Sequence, residues 1–287
     1  MSADPLDVVS GRSVARVRRI ILAGLERLPE TLSTTRTAAA IEARAPARAR
    51  GALGSVRPST FDGLADALRA ELVRSGRAEG RDGRVVRKAE DTIGLRFDLT
   101  DPAAIAWAER RAGKLIVEID KATRDAIRAL VARALREGGN PRIVARSIKP
   151  LIGLHQRWAV AVLNYRLRLE KRGLSGSRVE QATARYYQKL LRARSLNIAR
   201  TEILRASNEG RRQAWVQAQR LGLLPGAEKV WLAAGDACEV CAATDGQTVA
   251  LDDEFSNAYG SFEMPPAHPS CRCTAVIRAS SVQTAVA

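Results

Sequence analysis

The chain has 287 residues, a net charge of +16, 46% hydrophobic residues and only 4% aromatic ones. That is enough for one large domain or two modest ones, with a core made mostly of Ala, Leu, Ile and Val, as suits packed helices. No apolar run approaches the ~20 residues that span a bilayer, which excludes a helical membrane protein.

The N-terminus, Met1-Ser2-Ala3-Asp4-Pro5, lacks the basic-then-apolar order of a secretion signal. A cytoplasmic origin with reduced thiols is therefore expected. Residues 1–95 read as a loosely packed helical arm with basic linkers. Val14, Val17, Ile20, Ile21 and Leu25 recur at helical spacing and Pro29 marks a stop. Ala43 to Gly51, rich in Ala and Arg, reads as a linker. A second helix carries Phe61, Leu64, Leu68 and Leu72 on one face and ends in the Gly- and Arg-rich run from Ser75 to Gly83. The run from Gly76 to Lys88 reads as a mobile solvated linker in preference to a phosphate-contacting tail.

Residues 96–226 form the expected helical body. Asp101-Pro102 supplies a cap and a first-turn proline, and an apolar stripe from Ile105 to Ala134 runs until Gly138-Gly139. Asn140-Pro141 opens a short helix through Ile148, and Gly153 to Lys171 a third, with Trp158, Val162, Tyr165 and Leu169 on one side. From Ser177 the pattern continues through Tyr186, Ile198 and Trp215 to Leu221-Gly222, long enough that a bend is expected near Arg192 to Ser195. The aromatic residues at helical spacing read as core, His155 as a packing or surface histidine, and the body as about four antiparallel helices.

After Pro225-Gly226 the grammar changes. Lys229–Ala233, Gln247–Leu251 and Thr274–Ile277 are short, apolar and bounded by turn residues, so 227–280 reads as a small antiparallel β lobe, with 281–287 as a tail. From Trp231 onward seven acids face two bases, a net −5 that leaves +21 for the rest. A body this basic suggests a polyanion or an acidic partner, with an arginine-rich proteome as an equal alternative.

All four cysteines and one of the two histidines fall in this lobe: Cys238-x-x-Cys241 beside Asp245-Gly246, then His268-Pro269-Ser270-Cys271-Arg272-Cys273. Tight turns let two thiolates converge on one ion, as in a zinc knuckle, whereas a thioredoxin-type pair needs a helix starting at the motif. His268, Cys271 and Cys273 are three candidates for two positions. On an extended chain Cys271 and Cys273 point to opposite faces, so one is a ligand and the other packed. A lobe this small needs a staple or a neighbour. Structural zinc is favoured over disulfides and over free thiols packed on the helices. There is no His-Glu-x-x-His, and the deaminase order is absent, so no catalytic residue is assigned. Arg200, Glu202 and Asn208 read as a buried polar brace across helices, with Glu202 as general acid or base the weaker reading.

Ile198-Ala199-Arg200-Thr201-Glu202, Ala206, Asn208 and Gly210, then Lys229-x-Trp231, Asp236-x-Cys238-x-x-Cys241, Asp245-Gly246 and Pro265-Pro266-x-His268-Pro269-x-Cys271-Arg272-Cys273, together resemble the phage Mu F-like minor head proteins, the phage head morphogenesis family. The resemblance is strong from Ile198 to Ile277 and extends back to about Phe97. The residues themselves read as a mainly α protein, an elongated helical body with a small antiparallel β lobe stapled by zinc. The resemblance implies a minor capsid component rather than an enzyme, in the capsid interior or at the portal vertex of the virion and in the host cytoplasm during assembly. The partners implied are the portal protein, major capsid or scaffold proteins and phage DNA, with roles in procapsid assembly and DNA packaging or ejection. A metal-dependent nuclease and a stand-alone DNA-binding adaptor are the competing readings.

Overall fold

The computed structural model describes residues 11–82, 85–87, 91–93, 102–137 and 141–278. Among them the chain is mostly helical, with small antiparallel sheets. In order come α1 (Gly11–Arg27), α2 (Thr34–Glu42), α3 (Leu64–Asp82), β1 (Val85–Arg87), β2 (Asp91–Ile93), α4 (Pro102–Glu137), α5 (Pro141–Ile148), α6 (Gln156–Lys171) and α7 (Gly176–Arg220). The lobe follows with β3 (Glu228–Leu232), the one-turn helix α8 (Glu239–Ala242), β4 (Thr248–Ala250), β5 (Phe255–Asn257), β6 (Gly260–Phe262) and β7 (Thr274–Arg278). No helix among the described residues is long and apolar enough to cross a membrane.

The chain forms two compact units that alternate along the sequence. The first comprises Met1–Val17, Leu64–Arg110 and Asn197–Ala287, the second Arg18–Gly63 and Arg111–Leu196.

In the second unit the N-terminal stripe is well packed rather than loose. Ile21, Leu25 and Leu28 are fully buried, and the Ala- and Arg-rich stretch after them is folded instead of trailing as a linker. Residues Pro46–Ala52 form a 3-10 segment with Ala49 and Ala52 buried, and Arg124 of α4 donates to the carbonyls of Leu53 and Gly54 that follow it. Helix α1 passes close to Phe61: a Cβ on Gly24 would come within 2.2 Å of its ring. Helices α6 and α7 form a hairpin, with the rings of Tyr165 and Tyr186 4.9 Å apart. Tyr187 donates to the Ile152 carbonyl at 2.7 Å, and buried Arg194 donates to that of Gly153.

Through the stretch from Arg192 to Ser195, where a bend is expected, α7 continues as one helix of 45 residues. Its sequence from Ser177 to Glu209 contains neither Pro nor Gly, so nothing breaks the hydrogen-bond ladder. Ser195, buried, returns its hydroxyl to the Arg192 carbonyl within the helix.

In the first unit α7 is enclosed. From Ala199 to Trp215 residues are buried on every face, including Thr201, Glu202, Ser207, Asn208, Glu209 and Gln213. Helix α3 crosses it at small residues. A Cβ on Gly210 would lie 2.2 Å from the Leu72 carbonyl oxygen, and the hydroxyls of Ser75 and Ser207 are 2.6 Å apart. The stretch from Ser75 to Asp82 is thus the continuation of a helix, whose small residues Ser75 and Gly76 permit the close approach, and not a linker; Val85–Arg87 forms β1, and Gly83, Arg84 and Lys88 lie outside the described residues.

The lobe seats on the C-terminal end of α7. Its three-stranded sheet has the order β4-β3-β7, all antiparallel, with Trp231 opposite Ala275, and β5 pairs with β6 in a separate hairpin. Trp215 and Ala218 of α7 share one core with Trp231, Leu251, Phe255, Met264, Ala275 and three of the cysteines. Trp231 meets Phe255 edge-on at 5.2 Å, an arrangement worth a further ~0.5–1.5 kcal/mol beyond area burial.

Candidate metal centre

Five donor side chains converge where the lobe's two turn-rich segments meet. The first segment follows β3. Cys238 sits at the N-cap of α8, with extended backbone, so that the chain turns at once and brings Cys241 back beside it. A single helical turn does start at the motif, contrary to the reading of a plain turn, but it ends after four residues and gives way to the turn at Asp245-Gly246. The Asp245 carboxylate accepts from the Ala233 backbone N–H at 2.8 Å and Gly246 takes φ +73, where a side chain would be strained.

The second segment precedes β7. Ser270 adopts φ +63, and its N–H donates to the Thr201 hydroxyl of α7 at 3.0 Å. The chain straightens into a strand only at Thr274. The alternation that would send Cys271 and Cys273 to opposite faces therefore does not apply. The Cys273 N–H donates to the Cys271 sulfur at 3.5 Å, and both sulfurs lie within 4.8 Å of that of Cys241.

His268 Nε2 is 3.1 Å from the Cys238 sulfur and 3.2 Å from that of Cys241, and Cys241 is 3.6 Å from Cys271. The donors form two overlapping trios, Cys238–Cys241–His268 and Cys241–Cys271–Cys273, which share Cys241. His268 Nδ1 lies 2.9 Å from the Pro269 carbonyl, which fixes the ring with Nε2 toward the thiols.

The four thiols of the cluster divide in their protonation. The Cys273 hydrogen bond pulls Cys271 down to about 5, and the Cys241 backbone N–H lowers Cys238. Burial pushes Cys241 up to about 12, and the bond to Cys271 together with burial raises Cys273. Burial works against a charged His268, but the Pro269 carbonyl and the neighbouring sulfurs outweigh it and raise its pKa. Zinc–sulfur bonds of about 2.3 Å set tetrahedral sulfur–sulfur edges of ~3.8 Å, close to the Cys241–Cys271 separation. The donor set and its spacing fit a soft divalent ion.

The brace residues separate on inspection. Asn208 is buried and joins α7 to the lobe twice: it donates to the Pro265 carbonyl at 3.0 Å and accepts from the Thr274 hydroxyl at 2.9 Å. Glu202 is buried, 3.8 Å from the Arg205 guanidinium on its own helix. Arg200 points to solvent. His155 lies half-buried against Trp158 at the start of α6, Trp215 is core, and Trp158, Tyr165 and Tyr186 are only half-buried.

Sequence reasoning missed Lys229, Thr201 and Thr274. Lys229 is fully buried, donates to the Glu263 carbonyl at 2.9 Å and lies 5.3 Å from the Phe255 ring centroid. Burial foremost, then Arg212, lowers its pKa. Period-two alternation in β3 could have found it, since Lys229 must face the same side as Trp231.

A family model described as "Phage Mu protein F like protein" matches residues 125–276, just over half of the chain and the whole donor cluster. The match begins at Asp125, later than the Phe97 to which the motif resemblance extends. No curated protein and no solved structure matches the chain.

Proposed function

This chain belongs to the phage Mu protein F-like family, and on that premise we propose that it is a minor head protein of a tailed phage. In this reading it sits in the capsid interior or at the portal vertex of the virion, after assembly in the host cytoplasm. There it contacts the portal protein and the major capsid or scaffold proteins, and acts in procapsid assembly and in DNA packaging or ejection. The observation that carries the reading is the family match itself, which spans α5, α6, α7 and the lobe as one block.

The lobe's part is mechanical. Cys238, Cys241, His268 and Cys271 would hold a structural zinc, with Cys273 packed against Cys271. The ion ties the turn after β3 to the turn before β7, and Asn208 and Thr201 then fasten the tied lobe to α7. A closed set of four protein donors leaves no position for a substrate, which supports a structural role over catalysis.

The test is assembly. Expressed with its cognate head genes, the protein should co-sediment with procapsids at low copy number relative to the major capsid protein. Recovery only as free protein, with normal procapsids present, would sink the reading. The nuclease alternative predicts metal-dependent cleavage of DNA that Glu202→Ala or His268→Ala abolishes; absence of cleavage by the metal-loaded wild type disposes of it.

A further inference from the structure

The positive charge of this protein is not spread over a body opposite an acidic lobe; it is concentrated in one folding unit. The second unit holds 28 Lys and Arg against ten Asp and Glu, a net +18, while the rest of the chain sums to −2. The whole excess of the protein therefore lies within residues 18–63 and 111–196.

Within that unit the first half of α7 carries an ordered array. Arg178, Arg185, Lys189 and Arg192 are all exposed. Their spacings of seven, four and three residues keep them on one face of the helix. Elsewhere in the unit some arginines are matched to carboxylates, as Arg124 is to Asp120 and Arg166 to Glu170. Among the described residues none of these four forms an ion pair, so like charges face solvent without compensation. At the N-terminal end of the array the α6–α7 turn adds exposed Lys171 and Arg172. Unpaired cations on one face cost self-repulsion on a helix, and a polyanion laid against that face would relieve it.

We propose that this face of α7, with the turn before it, is a binding surface for the phosphate backbone of double-stranded DNA. From Arg178 to Arg192 the helix advances ~21 Å at 1.5 Å per residue, enough to cross a major groove ~12 Å wide and reach phosphates on both walls. The exposed side chains of the stripe include no aromatic residue, so nothing offers the stacking platform that single strands use. The recognition is charge against phosphate and independent of base sequence. The proposal deepens the head-protein reading and rests on it only for which polyanion is at hand; the metal cluster plays no part in it.

The experiment measures binding of the full-length protein to a fluorescein-labelled 30-base-pair duplex of arbitrary sequence by anisotropy, from 50 to 300 mM KCl. The stripe variant R178Q/R185Q/K189Q/R192Q is compared with R36Q/R44Q/R48Q/R57Q, which removes as much charge from exposed positions of the same unit. Each neutralised phosphate contributes about −0.9 to the slope of log K against log salt. The stripe variant should bind at least tenfold more weakly at 100 mM KCl, with a slope shallower by ~3, while the control variant stays close to wild type. Equal losses in both variants would reduce the effect to net charge and overturn the assignment, as would no binding by wild type. Competition by polyglutamate as effective as by unlabelled duplex, or salt-sensitive self-association lost only in the stripe variant, would replace DNA with an acidic protein partner. Circular dichroism melts of both variants establish that the fold is retained. If the duplex binds as expected but the protein is absent from procapsids, the surface stands and the head assignment falls.

Discussion

Cys241 is the residue on which the candidate centre turns, because it belongs to both trios of donors. Replacing it with Ser should remove bound metal entirely, whereas Cys273→Ser should leave one ion per chain; metal content of the purified proteins decides this. Structural zinc contributes on the order of 10 kcal/mol to a small fold at neutral pH, so Cys241→Ser should unfold the lobe and expose Trp231, read by a red shift of tryptophan emission. Asn208→Ala tests the fastening independently of the ion. It strands the buried Pro265 carbonyl, at about 1–3 kcal/mol, and takes the acceptor from the Thr274 hydroxyl, which keeps its bond from Arg211; it should lower the urea midpoint with metal still bound. A third residue gives a pH signature. Burial holds the Tyr187 phenol up to about 12, above its ordinary value of ~10. The fold therefore favours the protonated form, and that stability is present in full below pH ~10 and is lost as pH rises toward 12, up to ~2.7 kcal/mol. Tyr187→Phe should flatten this part of the alkaline stability profile measured by urea denaturation. The donors were legible in the sequence because rare residue types sat beside turn signals. Thr201, Thr274 and Lys229 were not: their bonds reach 69, 66 and 34 residues along the chain, and no local pattern encodes a partner that distant.

At the scale of elements, the helix starts read well because caps and breakers act locally: Pro102 and Pro141 open α4 and α5 as their chemistry requires. Helix α7 runs unbroken for 45 residues because its sequence from Ser177 to Glu209 contains neither Pro nor Gly. The crossing of α3 and α7 was missed. Ser75 and Gly76 look like linker residues, yet small side chains are also what lets two helices approach. Gly210→Ala should cost about 1–3 kcal/mol or more, since the added Cβ meets backbone that cannot swing away. Gly113→Ala, in the open on α4, should instead gain up to ~1 kcal/mol from helix propensity. Equal effects of the two substitutions in urea denaturation would refute the close crossing. The β5–β6 hairpin escaped notice because its strands are three residues each, too short to show alternation through the acidic and aromatic interval.

For the whole molecule, the prediction is that the two units fail separately. A chelator strong enough to strip the thiol cluster should shift tryptophan emission while leaving most of the helical circular dichroism signal intact, because the donors all lie in the first unit. Loss of the full helical signal on chelation would show that the ion holds both units. The class of the fold, mainly helical with a small sheet at the C-terminal end, was legible from periodicity and turn chemistry. The interleaving of the units was not, since each is assembled from separated stretches and periodicity reports only on neighbours a few residues apart.

That interleaving sets an order in time. Ser75 meets Ser207, 132 residues further on, and at roughly 5–20 residues per second a ribosome needs about 7–26 s to make the intervening chain. Through that interval α3 has been synthesised but the helix it crosses has not, and the α7 end that seats the lobe comes later still. A chain released early would carry the charged helices of the second unit without the partner strand of residues that closes the first. Folding of the first unit is thus a late event of translation, and a product truncated before Ser207 lacks the crossing of α3 and α7.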